Sequence, residues 1–191
     1  LDQPHERQLA LAALIVPTAK QIGMMVGPAN PLTAERLAEL DAALVASLAP
    51  VSLTSQDNPI RLLEPALANS DLFVPLADSR QLNMATSRWI LQLSYRYRKP
   101  VVGYSASYVD AGAVAAVYTG IGDVAAQLST TLANWSASGL PVSGSERDPT
   151  GFSIKLNRAA ALALGIELNE EAHYRDALNS LSQGVQHDLG R

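Results

Sequence analysis

The chain contains no cysteine. Disulfides, thiolate nucleophiles and Cys-ligated zinc are therefore excluded, and the redox compartment stays open between cytoplasm and periplasm. Histidine is scarce: His5, His173 and His187 lie far apart, none has a second histidine at a metal-site spacing, and no H-E-x-x-H pattern occurs. Aromatic residues make up only 5%, without the basic–aromatic interleaving that binds single-stranded nucleic acid. Nor is there a basic excess. Fourteen Lys and Arg against 18 Asp and Glu leave a formal net charge of −4, which gives no electrostatic reason to expect nucleic acid or an anionic membrane as partner. No apolar run reaches the roughly 18 residues of a membrane span.

The familiar cofactor and nucleophile signatures are missing too. No G-x-S-x-G elbow is present, no G-K-[S/T] follows "GPANPLT", and no G-x-G-x-x-G follows the first strand. "GIGDVA" has Gly120 and Gly122 but no third glycine, so it reads as a helix start. No cofactor and no catalytic residue are expected. The opening Leu1, Asp2, Gln3, Pro4 does not read as a signal peptide. It reads as a turn entering a helix, and with no Met at its head the chain is expected to begin inside a longer protein.

What is there is apolar and regularly punctuated. The 191 residues are 48% hydrophobic and 17% charged, enough for a packed core. A helix is expected over residues 4–15, its face Leu9, Leu11, Ala12 and Ile15, stopped by Pro17. "QIGMMVG" closes on Gly27 and Pro28 and reads as a buried strand. A longer helix is expected over 30–49 and a second strand over 50–56. "NPIRLLEPALANS" reads as a helix capped by Asn58 with Pro59 first, kinked or split at Pro65. "DLFVPL" is the third strand, followed by a helix over 79–98. "VVGYS" is the fourth strand, then a turn or short helix over 108–112, a fifth strand "AVAAVYT" and a helix over 122–135.

Short strands, apolar on both faces and separated by helices, need cover on both sides. The expected fold class is therefore α/β, a three-layer, doubly wound, mostly parallel sheet with right-handed crossovers. Residues 1–135 form that lobe. Residues 136–151, rich in Ser, Gly and Pro, read as an exposed linker. Residues 152–183 add one more strand and two helices.

In an open α/β sheet, ligands bind at the carboxyl ends of the strands. Those ends here are "GPANPLT", "TSQDN", "LADSR" and "SASY", which offer hydroxyls, amides, one tyrosine expected to be exposed, and the acids Asp57 and Asp78. Such a set suits a small polar ligand. Asn30, Asn58 and Ser79 are equally good helix N-caps, Asp78 suits a helix dipole, and Tyr108 suits packing.

Several segments together resemble one family. "LDQPHERQLALAALIVPTAKQIGMMVGP" is similar to the start of the second lobe in substrate-binding proteins of the uncharacterised ABC transporter type. There a turn leads into a helix ending in "lP-x-a-k" and then a strand like "vgvl". "SDLFVPLADS" resembles the family's strand and loop with an acid at its end. "KPVVGYSASYVDAGAVAAV" resembles its "kPvigys..yv..Gala" segment, and "FSIKLNRAAALALGIEL" its closing "vvNlkaAkalGl". The likeness covers most of residues 1–168. It implies one lobe of a type I periplasmic-binding-protein-like fold and a non-enzymatic solute-binding component holding an amino acid or other small polar metabolite. It also implies a periplasmic location and an ABC transporter permease or membrane sensor as partner.

By position, the family's second-lobe acid matches Asp78, with Ser79 beside it. The loop after the first strand matches Asn30, and the loop after the fourth matches Ser105, Ser107 and Tyr108. The family's "pnD" reads "LAD" here, so Leu76 and Ala77 replace a polar contact. The resemblance puts the first lobe ahead of Leu1. Residues 152–183 would then return to this lobe, meet that first lobe, or be buried in a homodimer. An interaction module that keeps the fold without a ligand is the alternative; a flavodoxin-like enzyme is the remoter one.

Overall fold

The computed structural model of the chain describes residues 2–27, 31–33, 37–38, 40, 42–54, 56–77, 83–138 and 149–188. Helix α1 (His5–Ile15) buries Leu9, Leu11, Ala12 and Ile15, the face its sequence spacing defines. Strand β1 (Ile22–Val26) follows, buried at every position. Helix α2 (Ala42–Ser47) runs directly into β2 (Leu48–Ser52). The expected boundary between helix and strand therefore moves ahead of Pro50. Pairing in register with β1, Ile22 opposite Leu48 and Met24 opposite Pro50, decides this rather than local propensity. Pro50 is tolerated because β2 is an edge strand. The Leu53 N–H donates inward to the Val26 carbonyl at 3.0 Å, so strand alternation turns the nitrogen of Pro50 outward.

Helix α3 (Pro59–Asn69) has Asn58 as cap, its Oδ1 accepting from the Ile60 N–H at 3.1 Å. It continues through Pro65 as one helix, without the expected split. Leu63 and Leu67, buried on either side of Pro65, hold both halves on the sheet. Strand β3 (Leu72–Pro75) pairs with β1 on the side away from β2. Helix α4 (Met84–Tyr97) is capped by Asn83, whose Oδ1 accepts from the Thr86 N–H at 3.0 Å. The described helix thus starts at Met84 rather than at residue 79, and the cap expected at Ser79 lies outside the described residues.

Strand β4 (Val102–Gly103), helix α5 (Ala106–Asp110), strand β5 (Ala115–Tyr118) and helix α6 (Ile121–Ser138) complete the parallel part. The Phe73 N–H donates to the Pro100 carbonyl at 2.9 Å and Phe73 bridges Val101, which joins β3 to β4. The strand order is then β2-β1-β3-β4-β5, parallel throughout. Strand β6 (Ser153–Leu156) adds to β5 antiparallel. Helices α7 (Arg158–Ala163) and α8 (Glu171–Asp188) follow it. Residues 152–183 thus lie on this lobe: Tyr174 and Leu178 of α8 share one core with Leu9 and Leu11 of α1. The Lys155 ammonium of β6 also meets the Asp110 carboxylate of α5 at 2.6 Å. Of the expected linker, α6 takes residues up to Ser138, and 139–148 lie outside the described residues.

Two apolar clusters sandwich the sheet. One joins Met24, Val74 and Val117 to α1 and α8. The other joins Met25, Phe73 and Ala116 to residues of α3, α4 and α5. This is the three-layer arrangement that strands without a solvent face require.

Gly23, in the middle of β1, shows how tightly the layers meet. A Cβ there would collide with the Ser70 hydroxyl, which is held by the Ala66 carbonyl, and would come within 2.7 Å of Phe73 Cδ2. Gly23→Ala should cost about 1–3 kcal/mol, lowering the thermal midpoint by several degrees in circular dichroism. The double variant with Ser70→Ala should lose less than the sum of the single losses. A single variant with an unchanged midpoint would show that the contact yields freely.

Candidate functional site

The order of strands reverses between β1 and β3, since the chain goes from β1 outward to β2 and then crosses back. At such a reversal, open α/β sheets place their ligands at the carboxyl edge of the strands. Among the sequence-predicted residues, Asn30 follows β1, and Asp78 and Ser79 follow β3. All three lie outside the described residues. Strand β4 is the next neighbour, and its carboxyl end carries Tyr104, Ser105, Ser107 and Tyr108.

There the structure separates the predicted residues. Ser105 caps α5, its Oγ accepting from the Tyr108 N–H at 3.2 Å and lying 3.1 Å from Ser107 Oγ. Ser107 is exposed and Ser105 half-buried, so both hydroxyls stand on the rim. Tyr108, expected to be exposed, is 5% exposed and belongs to the core beneath. Its hydroxyl donates to the Ser87 carbonyl at 3.4 Å. Burial, with Tyr104 adding to it, pushes the Tyr108 phenol far above its ordinary value. The reason is local geometry. The Ser105 cap turns the chain into a helix at once, and the first turn of α5 points Tyr108 down at Gly103, where only a glycine leaves room for its ring.

Tyr104 is the residue that sequence reasoning missed. It is half-buried on the same rim, its ring centroid 5.3 Å from that of Tyr108. Its phenol is also raised, by burial first and with the Asp2 carboxylate contributing, partly offset by a hydrogen bond with Ser87. Tyr104 follows β4 directly and packs against the cluster that holds Tyr108, on the face opposite Val102. On α4, two residues past Ser87, the indole N–H of Trp89 is buried with no hydrogen-bond partner among the described residues, an orphan donor of the kind that calls for an explanation.

The flanks of the edge are differently built. After β2, Asp57 Oδ2 accepts from both the N–H and the hydroxyl of Thr54 at 2.7 Å, which closes a turn. Those bonds, the hydroxyl first, hold its carboxyl below the usual range. Beyond β5, Gln3 Nε2 donates to Thr119 Oγ1 at 2.8 Å and to the Gly151 carbonyl at 3.0 Å. Arg7 bonds Gln3 and the Pro149 carbonyl and lies 4.8 Å over the Phe152 ring. Asp123 accepts from the Gly120 N–H and the Ser153 hydroxyl, both at 2.8 Å, which is the helix-start role read for "GIGDVA". These polar groups are already paired with each other. The hydroxyls of Ser105 and Ser107, on the rim after β4, are turned to solvent. Among the described residues no His, Asp and Glu cluster could hold a metal ion, and no helix is long and apolar enough to cross a membrane.

No family model and no curated protein sequence matches the chain. Solved structures do. A conserved domain protein from Vibrio cholerae aligns with 91% of this chain and 59% of its own, at a TM-score of 0.67 and 22% identity. An ABC domain from Streptococcus pneumoniae in complex with L-Trp aligns over 87% and 58%, at 0.64 and 15% identity. A ligand-free, open substrate-binding protein with adhesive properties from Clostridium difficile aligns over 85% and 56%, at 0.59 and 18% identity. The chain thus spans less than three-fifths of each. At these identities the likeness establishes the fold: a mixed α/β, mostly parallel sheet of the periplasmic-binding-protein-like kind.

The buried phenol has a measurable consequence. The folded chain keeps the Tyr108 proton while the unfolded chain releases it near pH 10. Its contribution to stability is complete below about pH 10 and is lost as pH rises beyond that. Tyr108→Phe should therefore unfold less steeply above about pH 10 by denaturant titration, while costing less than about 1 kcal/mol at pH 7, since the hydrogen bond is long. Identical alkaline profiles for both proteins would place Tyr108 in water.

Proposed function

We propose that this chain is a solute-binding, non-enzymatic lobe of an ABC-type transport or sensing system, taking a small polar metabolite such as an amino acid at the carboxyl ends of its strands. The observation that carries this reading is the reversal of strand order between β1 and β3. Asp78 accepts from the ligand's ammonium or hydroxyl group, and Asn30, Ser79, Ser105 and Ser107 supply further hydrogen bonds. Tyr104 offers a ring face on the rim, and Tyr108 holds the Ser105 loop from below. No nucleophile–base pair stands at this edge among the described residues. Solved structures of the same fold, one a substrate-binding protein and one a domain in complex with L-Trp, support the reading. Its partners are then a permease or membrane sensor, and its place the periplasm.

A second reading has one observation in its favour. Ile121, Leu128, Leu132 and Trp135 lie along one side of α6 and are exposed. An interaction module that has kept the fold would use such a stripe.

The two readings part under thermal unfolding against the free amino acids, small sugars and nucleosides. A ligand at a hundred times its dissociation constant adds about 2.7 kcal/mol, a rise of several degrees for a chain of this size. Asp78→Ala should weaken the response to the identified ligand at least tenfold. Equal responses in the two proteins would remove Asp78 from the site, and silence across the library would favour the interaction module.

A further inference from the structure

The chain as a whole is acidic, with a formal net charge of −4, yet one helix carries only cations. From Met84 through Lys99, α4 and its exit contain Arg88, Arg96, Arg98 and Lys99 and no Asp or Glu. On the other side of the sheet the balance is reversed, since α8 has Glu171, Asp176 and Asp188 against Arg175. Arg88, Gln92, Tyr95 and Arg96 follow one another at the spacing i, i+4, i+7 and i+8, so they share one face of α4. All four are exposed, Tyr95 at 88%.

Helix α3 extends this face. Glu64, the one acid within α3, accepts from Arg96 at 3.1 Å and from the Tyr97 hydroxyl at 2.7 Å. That carboxylate ties the two helices together and is neutralised in doing so. Arg61 is exposed one turn before Glu64, on the same outer surface. The Arg96 guanidinium lies 5.4 Å from the centre of the Tyr97 ring. Ring and carboxylate hold it in place while its side chain stays 67% exposed, with donors left for a further acceptor. Arg88 and Arg96 stand about 12 Å apart along their helix, and the axis that carries Arg61 runs about 9 Å to the side. The outer surface of the α3–α4 pair is thus cationic and centred on a tyrosine, with one of its arginines already fixed.

We propose that this surface docks an acidic segment of a partner protein, whose carboxylates are taken by Arg61, Arg88 and Arg96 while Tyr95 covers the contact. Charge complementarity points to an anionic partner. The residue types point to a protein: Arg and Tyr are the residues that protein interfaces concentrate, and the guanidinium fork meets a carboxylate in two hydrogen bonds. An anionic bilayer would instead be met by lysines and by apolar side chains able to enter it. The proposal does not depend on what the strand ends bind, because this surface faces away from the sheet.

Titration of the nitrogen-15-labelled chain with a poly-L-glutamate peptide of about ten residues, followed by NMR, tests it. Amide shifts should concentrate at Arg61 and between Arg88 and Arg96, and affinity should fall at least fivefold from about 50 to about 300 mM salt. Arg61→Ser combined with Arg88→Ser should weaken the peptide at least fivefold with an unchanged circular dichroism spectrum. Arg88→Lys keeps the charge but loses the fork, and should weaken it about twofold to threefold. No shifts, shifts confined to another face, or undiminished affinity in the folded double variant would overturn the proposal. Binding to phosphatidylglycerol vesicles that the double variant loses, without binding to the peptide, would assign the surface to a membrane and overturn it too. If the double variant does not fold, the shift map and Arg88→Lys decide.

Discussion

Strand β1 is buried at every position, and much of the remaining structure follows from that constraint. A strand buried on both faces has to be covered twice, by α1 and α8 on one side and by α3 and α4 on the other. Both of its edges have to be paired as well, because an unpaired backbone group in a dry environment costs a lost hydrogen bond. The cover explains the alternation of strand and helix. The pairing explains why the chain goes from β1 to one neighbour and then returns to the other. That return is the reversal of strand order at whose carboxyl edge α/β sheets place ligands, so the candidate site is a by-product of burying β1.

Much of this was legible in the sequence where the controlling physics is local. Each of "IGMMV", "LFVP" and "AAVY" is an unbroken apolar run of strand length bounded by turn residues, and each is a strand. Asn58 before Pro59 marked a helix start because both residues act within one turn. Sequence reasoning fell short where partners are distant in the chain. The start of β2 is fixed by its register against β1, which no property of Leu48 or Ala49 announces. Pro65 passes through α3 because Leu63 and Leu67 are anchored in tertiary packing. The α4 cap is Asn83, whose side chain reaches the Thr86 N–H and hydroxyl together.

The site shows the same division. Polar residues at the strand ends were visible as a pattern, and topology sets β1, β3 and β4 side by side. What the pattern could not distinguish was which tyrosine of "YSASY" faces outward. Ser105 caps α5, and this one hydrogen bond turns the backbone so that Tyr108 goes into the core above Gly103 while Tyr104 stays on the rim. The resemblance to a binding-protein lobe, drawn from motifs in order, agrees with the fold that the solved structures share. The return segment shows how such a lobe closes its far side. By adding β6 antiparallel to β5 and laying α8 over α1, it covers the apolar surface that the last parallel strand would otherwise expose.

Pro50 has an implication for how this protein behaves in a crowded solution. The outer border of β2 presents backbone groups that a strand from another molecule could align with and extend, the usual route from a native sheet to an aggregate. Midway along that border the donor is missing, because the ring of Pro50 occupies the outward-facing nitrogen. An incoming strand would lose its central rung and meet the bulk of the pyrrolidine. Since the inner hydrogen bonds to β1 do not use that nitrogen, the sheet carries this block to growth at almost no cost to its own ladder.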